Sequence, residues 1–140
     1  MSTINKLSID GIRSFASGDP QVIAFKKPLT LIVGSNGAGK TTVIECIKMA
    51  LTGELPPDAA RGKNFIHDPK VNQGQETKAA IKLQFHTVNK KKCTVARQFS
   101  LAYKSRKEDA AASYSMSSTS LHTVNEHGKV RPHGRVCRLA

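Results

Sequence analysis

The chain has 140 residues, room for one domain with a core of ordinary size, and its 39% hydrophobic content excludes disorder throughout. No apolar run approaches the roughly 20 residues of a membrane span, and the N-terminus lacks the basic-then-apolar order of a secretory signal, so a soluble intracellular protein without a membrane partner is expected. Net charge is +12 and unevenly spread: residues 1–60 hold six Lys/Arg against five Asp/Glu, residues 61–140 sixteen against five, which implies a polyanionic partner for the second half.

Ile4 to Ile9 reads as a first strand and Gln21 to Phe25 as a second, with a loop marked by Gly18, Asp19 and Pro20 between them. Leu29-Thr30-Leu31-Ile32-Val33 is a nearly continuous apolar run, the pattern of a strand covered on both faces. From Lys40 to Thr52 the period changes, and Val43, Ile44, Ile47, Ala50 and Leu51 define one face of a helix. Gly53 suits a left-handed cap, and Pro56-Pro57 bar continuation. A polar connection from about Asp58 to Thr77 leads to two alternating segments, Ala79 to Phe85 and Cys93 to Leu101, read as antiparallel strands joined through Val88 to Lys92. Beyond Tyr103 the pattern fades into Ala/Ser-rich sequence and a basic tail, so one unit over 1–107 and a weakly structured segment over 108–140 are expected.

Between the apolar run and the helix stands Gly34-Ser35-Asn36-Gly37-Ala38-Gly39-Lys40-Thr41, a complete G-x-x-x-x-G-K-[ST]. Glycines at these places let successive N–H groups turn towards phosphate oxygens, and the helix brings free N–H groups and a positive dipole end to the same anion. Lys40 is expected to bridge the β- and γ-phosphates, and the Thr41 hydroxyl to be a Mg²⁺ ligand. Guanine specificity needs an N-K-x-D motif; Asn89-Lys90-Lys91-Lys92 has Lys in place of the Asp, so ATP is favoured over GTP.

Other residues invite chemistry less strongly. Cys46, Cys93 and Cys137 are far apart and read as reduced thiols. His122, His127 and His133 have no common zinc-site spacing and read as solvated. Lys90, Lys91 and Lys92 at the hairpin tip, with Arg97, Lys104, Arg106 and Lys107 beyond it, could attract DNA phosphates without reading sequence. Composition alone weighs that equally against a solvated turn guarding a sheet edge.

Gly11-Ile12-Arg13-Ser14-Phe15, Pro28 to Gly34 and Asn36 to Cys46 resemble the start of SMC-like ABC-type ATPases. Phe65-Ile66-His67-Asp68-Pro69-Lys70-Val71 and Ile81 to Phe85 narrow the resemblance to the eukaryotic Rad-fifty-type family. The likeness is close from Met1 to about Lys107. It implies an α/β P-loop NTPase fold, the N-terminal lobe of an ABC-type head, with a mixed sheet containing antiparallel strands around one phosphate-loop helix. It also implies a chromosome-associated nuclear protein of double-strand-break repair and telomere maintenance. Its partners would be DNA, a nuclease subunit and a second head; zinc would sit at a coiled-coil apex absent from this chain. Carried over by residue, nucleotide contacts fall on Arg13, Asn36, Gly37, Ala38, Gly39, Lys40, Thr41 and Thr42, with Ile66 and Asp68 near the nucleotide. The resemblance tips the lysine cluster towards DNA.

The resemblance implies ATP hydrolysis, yet the chain holds no apolar strand ending in an acid pair, no signature motif and no glutamine loop. It reads as the first part of an N-terminal lobe that binds ATP without turning it over, with no complete catalytic set. Two other classes compete: a basic nucleic-acid-binding module with a vestigial nucleotide site, and a small-molecule P-loop kinase, which would need an arginine-rich lid.

Overall fold

A computed structural model describes residues 1–72, 75–103, 112–124 and 130–133. Strand β1 (Thr3–Asp10) pairs with β2 (Gln21–Ala24) on one side and with β3 (Glu76–His86) on the other. The sheet continues through β4 (Lys92–Tyr103), β5 (Ala112–Val124) and β6 (Val130–His133) in the order β2-β1-β3-β4-β5-β6. Helix α1 (Lys40–Thr52) covers one face, lying on β3 and β4.

Alternation decides which side chains meet the helix. Leu7, Leu83, Val95 and Leu121 form one cross-strand row, and Ile9, Ile81, Arg97 and Thr119 the next. Phe99 anchors the core, edge-on to Phe65 and stacked on Tyr114, with ring centroids 6.2 Å apart in both pairs. The opposite face carries Lys6, Lys78, Lys82 and Gln98 to solvent.

Four sequence expectations change. The sheet is antiparallel at every described pairing rather than mixed, because Leu29–Val33 lies outside it. Leu29, Leu31 and Val33 are 78–79% exposed; the run is apolar enough for a central strand, but no described strand lies beside it. On α1 the buried stripe is Val43, Cys46, Met49 and Ala50, whereas Ile44 and Leu51 face solvent. Both stripes satisfy helical spacing, and only contact with the sheet selects one.

The third change concerns the segment beyond Lys107. Ala112–Val124 pairs with β4 along its length, so the sheet runs on past that boundary. Tyr114 and Met116 point inward before a bulge at Ser117, and Thr119 and Leu121 after it. The extra residue shifts the alternation by one and hides its period. His122 thus sits in β5 with Nδ1 buried, and His133 in β6, whereas His127 and Cys137 fall outside the described residues.

The fourth is Arg97, a DNA candidate from sequence, which is only 5% exposed. Its Nε donates to the Ala50 carbonyl at 3.0 Å and its Nη1 to Thr119 Oγ1 at 3.1 Å. The last turn of α1 has no basic residue of its own, and the final carbonyls of a helix need donors. Strand β4 supplies that cation from inside the protein, so Arg97 is withdrawn from the DNA-facing set.

Candidate nucleotide-binding site

Helix α1 spans the residues its periodicity predicts and closes at Gly53, whose N–H donates to the Met49 carbonyl at 2.9 Å. At the other end Gly39 occupies the N-cap in the left-handed region (φ 87°) and offers no side-chain cap. The first-turn N–H groups of Lys40, Thr41 and Thr42 are therefore left for an anion. A Cβ at Gly39 would lie a tight 3.1 Å from the Phe15 ring, which would have to give way, and the positive φ itself favours glycine. The Ala38 N–H bonds the Ser35 carbonyl at 3.2 Å, curling the loop from Gly34 to Gly39.

Asn36, Gly37 and Ala38 are exposed on this loop, as is Thr41 at the start of α1. Lys40 Nζ donates to the Gly34 carbonyl at 2.6 Å and the Ser35 carbonyl at 2.7 Å, folding the ammonium over the loop. Thr42 is 4% exposed, so only its backbone N–H can serve a ligand.

The two segments that carried the family resemblance pair with each other. Ile12 and Ile66 form an antiparallel bridge, the Arg13 N–H bonds the Phe65 carbonyl at 3.0 Å, and the His67 N–H bonds the Gly11 carbonyl at 2.9 Å. Gly11 makes the approach possible: its φ is +64°, and a Cβ there would come within 2.6 Å of the Lys78 carbonyl oxygen. His67 Nδ1 lies 2.6 Å from the Arg13 carbonyl oxygen. A carbonyl only accepts, so Nδ1 carries a proton, and Nε2 is buried without a hydrogen-bond partner.

Arg13 itself is left-handed (φ 47°), and its Nη2 stands 3.0 Å from each carboxylate oxygen of Glu45. Ile66 points into the core, whereas Asp68 is exposed and accepts from the Lys70 N–H at 3.0 Å and the Tyr103 hydroxyl at 3.4 Å. Burial, then Asp68, raises the Tyr103 phenol above its ordinary pKa. Glu45, His67, Phe15 and Tyr103 belong to this assembly without having been singled out from sequence. The available signal was Glu45, an acid four residues after Thr41 and hence on the same side of α1.

Lys90, Lys91 and Lys92 are exposed at the β3–β4 turn, closed by the Lys90 N–H on the Thr87 carbonyl at 2.9 Å. That turn lies at the end of β3 facing Thr3, while Gly11 and Arg13 follow Asp10 at the other end. From Ala80 to His86 the strand runs about 20 Å. The lysine cluster and the phosphate loop are thus at opposite ends of the sheet. Lys104, Arg106 and Lys107 lie outside the described residues.

A family profile described as an AAA domain matches residues 6–132. The chain is 52% identical over 127 residues to the DNA repair protein RAD50 of Arabidopsis thaliana, covering 91% of this chain and 9% of that protein. With the Saccharomyces cerevisiae DNA repair protein RAD50, identity is 54% over 104 residues, covering 74% and 8%. With that of Dictyostelium discoideum it is 46% over 129 residues, covering 92% and 9%. The chain spans less than a tenth of these relatives' length. With its Gly-Ile-Arg and Phe-Ile-His-Asp segments paired beside the uncapped N-terminus of α1, the chain belongs to the AAA-domain family and is similar over most of its length to eukaryotic RAD50 DNA repair proteins.

Proposed function

We propose that this chain is the ATP-holding segment of a DNA double-strand-break repair ATPase, the first part of the N-terminal lobe of an ABC-type, SMC-like head. The observation that carries this is the uncapped N-terminus of α1, set behind a loop whose Gly37 and Gly39 are left-handed and whose lysine already folds over it. Arg13 adds a second cation beside that helix. In this reading Gly37 to Thr42 wrap the phosphates, and Lys40 exchanges its loop carbonyls for phosphate oxygens. Mg²⁺, held by the exposed Thr41 hydroxyl, would neutralise phosphate charge. Asn36, Ile66 and Asp68 border the nucleotide.

Hydrolysis also needs a water-orienting acid and a second side for the metal, so the segment grips ATP without cleaving it. The exposure of Leu29, Leu31 and Val33, and of Ile44 and Leu51 on α1, supports docking of a complementary lobe. DNA, a nuclease subunit, a second head and a nuclear, chromosome-associated setting follow from the same reading. Duplex DNA would be met by Lys90, Lys91 and Lys92 through phosphate contacts.

Titration with Mg²⁺ and a fluorescent ATP analogue tests the reading. Saturable binding lost in Lys40→Ala, with no phosphate release, is the expected result. Turnover abolished by Lys40→Ala would overturn the binding-only claim. No binding by the wild-type chain would favour a basic nucleic-acid module with a vestigial site.

A further inference from the structure

Glu45 is negative, stands beside an anion site, and has no role in the reading above. Its side chain is 19% exposed and its carboxylate faces the Arg13 guanidinium at 3.0 Å. Four residues after Thr41, it lies one helical turn below the hydroxyl that faces the phosphates. Arg13 is fixed from behind: its N–H is bonded to Phe65, its carbonyl to His67, and its backbone is held in the left-handed region. A non-glycine residue persists there only when its surroundings over-determine it.

The guanidinium is held at one nitrogen only. Nη2 meets Glu45, while Nε is buried without a partner and Nη1 has no hydrogen bond among the described residues. An arginine has five donors in a rigid fork; with Nη2 on Glu45 and Nε buried, Nη1 is the nitrogen left for a ligand. We infer that Glu45 is a positioning residue that anchors Arg13 at Nη2, so that Nη1 of the guanidinium is presented to the triphosphate. The inference rests on the nucleotide-binding reading of the same site and gives its second cation a fixed orientation.

Simple charge counting and this inference predict opposite signs. A carboxylate beside an anion site repels the anion, so on charge alone its removal tightens binding. If Glu45 orients Arg13, its removal weakens binding although a negative charge has gone. Dissociation constants for Mg²⁺-ATP would be measured by fluorescence titration on the whole chain and on Glu45→Ala, Glu45→Gln, Arg13→Ala and the Arg13→Ala/Glu45→Ala double variant. Glu45→Ala and Arg13→Ala should each weaken binding about tenfold, the scale of one charge-assisted contact, and the double variant no further. Glu45→Gln keeps an acceptor for Nη2 at unchanged volume, so it should fold and show a smaller loss of the same sign. Equal or tighter binding in Glu45→Gln, beside a weakened Arg13→Ala, would overturn the positioning role and leave ATP binding intact. Absence of binding by the wild-type chain would instead remove the nucleotide reading, and this inference with it.

Discussion

Cys46 has a fully buried side chain on the sheet-facing stripe of α1. Burial, and then its neighbour Glu45, push its thiol up from 9.0 to about 12, with Arg13 pulling weakly the other way. The reactive species is the thiolate, so native Cys46 should resist alkylation at pH 8 and react once urea unfolds the chain. Mass spectrometry of iodoacetamide-treated protein reads this directly, and equal labelling with and without urea would contradict it. The sign also sets a stability window. The folded state favours the protonated thiol, so its contribution is full below pH 9 and is lost as pH rises towards 12.

Arg97 carries the second residue-scale prediction. Desolvation by burial lowers its pKa, with Tyr114 acting the other way, yet at neutral pH it keeps its charge and spends it on the carbonyl end of α1. Arg97→Met should cost about 2–3 kcal/mol, the worth of a charged hydrogen bond plus an orphaned helix carbonyl. Urea denaturation measures it, and an unchanged midpoint would mean that water replaces the guanidinium. Nothing in the sequence separates this arginine from the surface lysines around it except its inward phase in β4.

At the scale of elements, helix and hairpin follow from local pattern. Lys40–Thr52 is bounded by a left-handed glycine at each end, and β3–β4 turns where lysines and asparagine interrupt two alternating runs. The hairpin stands about 20 Å along the sheet from the Gly11–Arg13 loop, so substitutions in it leave the proposed nucleotide site untouched. Lys90→Glu/Lys91→Glu/Lys92→Glu should weaken duplex DNA binding and flatten its salt dependence while leaving ATP affinity unchanged. Anisotropy titrations at several salt concentrations test it; an unchanged slope would return the lysines to the role of a solvated turn. Strand β5 was not legible for a local reason. Its inward residues are Tyr114, Met116, Thr119 and Leu121, and the bulge between Met116 and Thr119 breaks the spacing that would have marked them as one face.

For the molecule as a whole, burial is uneven. The core runs from Leu7 and Ile9 through Ile81 and Leu83 to Phe99 and Leu101, while Leu29, Leu31, Val33, Ile44 and Leu51 remain in water. Exposed apolar side chains in this number mark a contact surface or a liability to aggregate. Leu31→Asn with Ile44→Gln should lower dye binding and aggregation and move the thermal midpoint little, since exposed side chains contribute within about 0.5 kcal/mol. A large fall in the midpoint would show that these residues are packed in solution.

The sequence by itself determined the G-x-x-x-x-G-K-T motif, the helix that follows it, strand β1, the alternation of β3 and β4, and the family. Each of these is a local pattern: glycines at fixed offsets, a period of 3.6 or of 2, a run of specific residues. Only the tertiary structure decided which stripe of α1 is core, that Arg97 caps that helix from within, and that Gly11–Phe15 and Phe65–Asp68 pair beside Gly39. The same holds for Glu45, which takes the Arg13 guanidinium across 32 residues of sequence. Periodicity states that a face will be buried; what lies against it depends on chain segments far apart in sequence, and no window along the chain contains both partners.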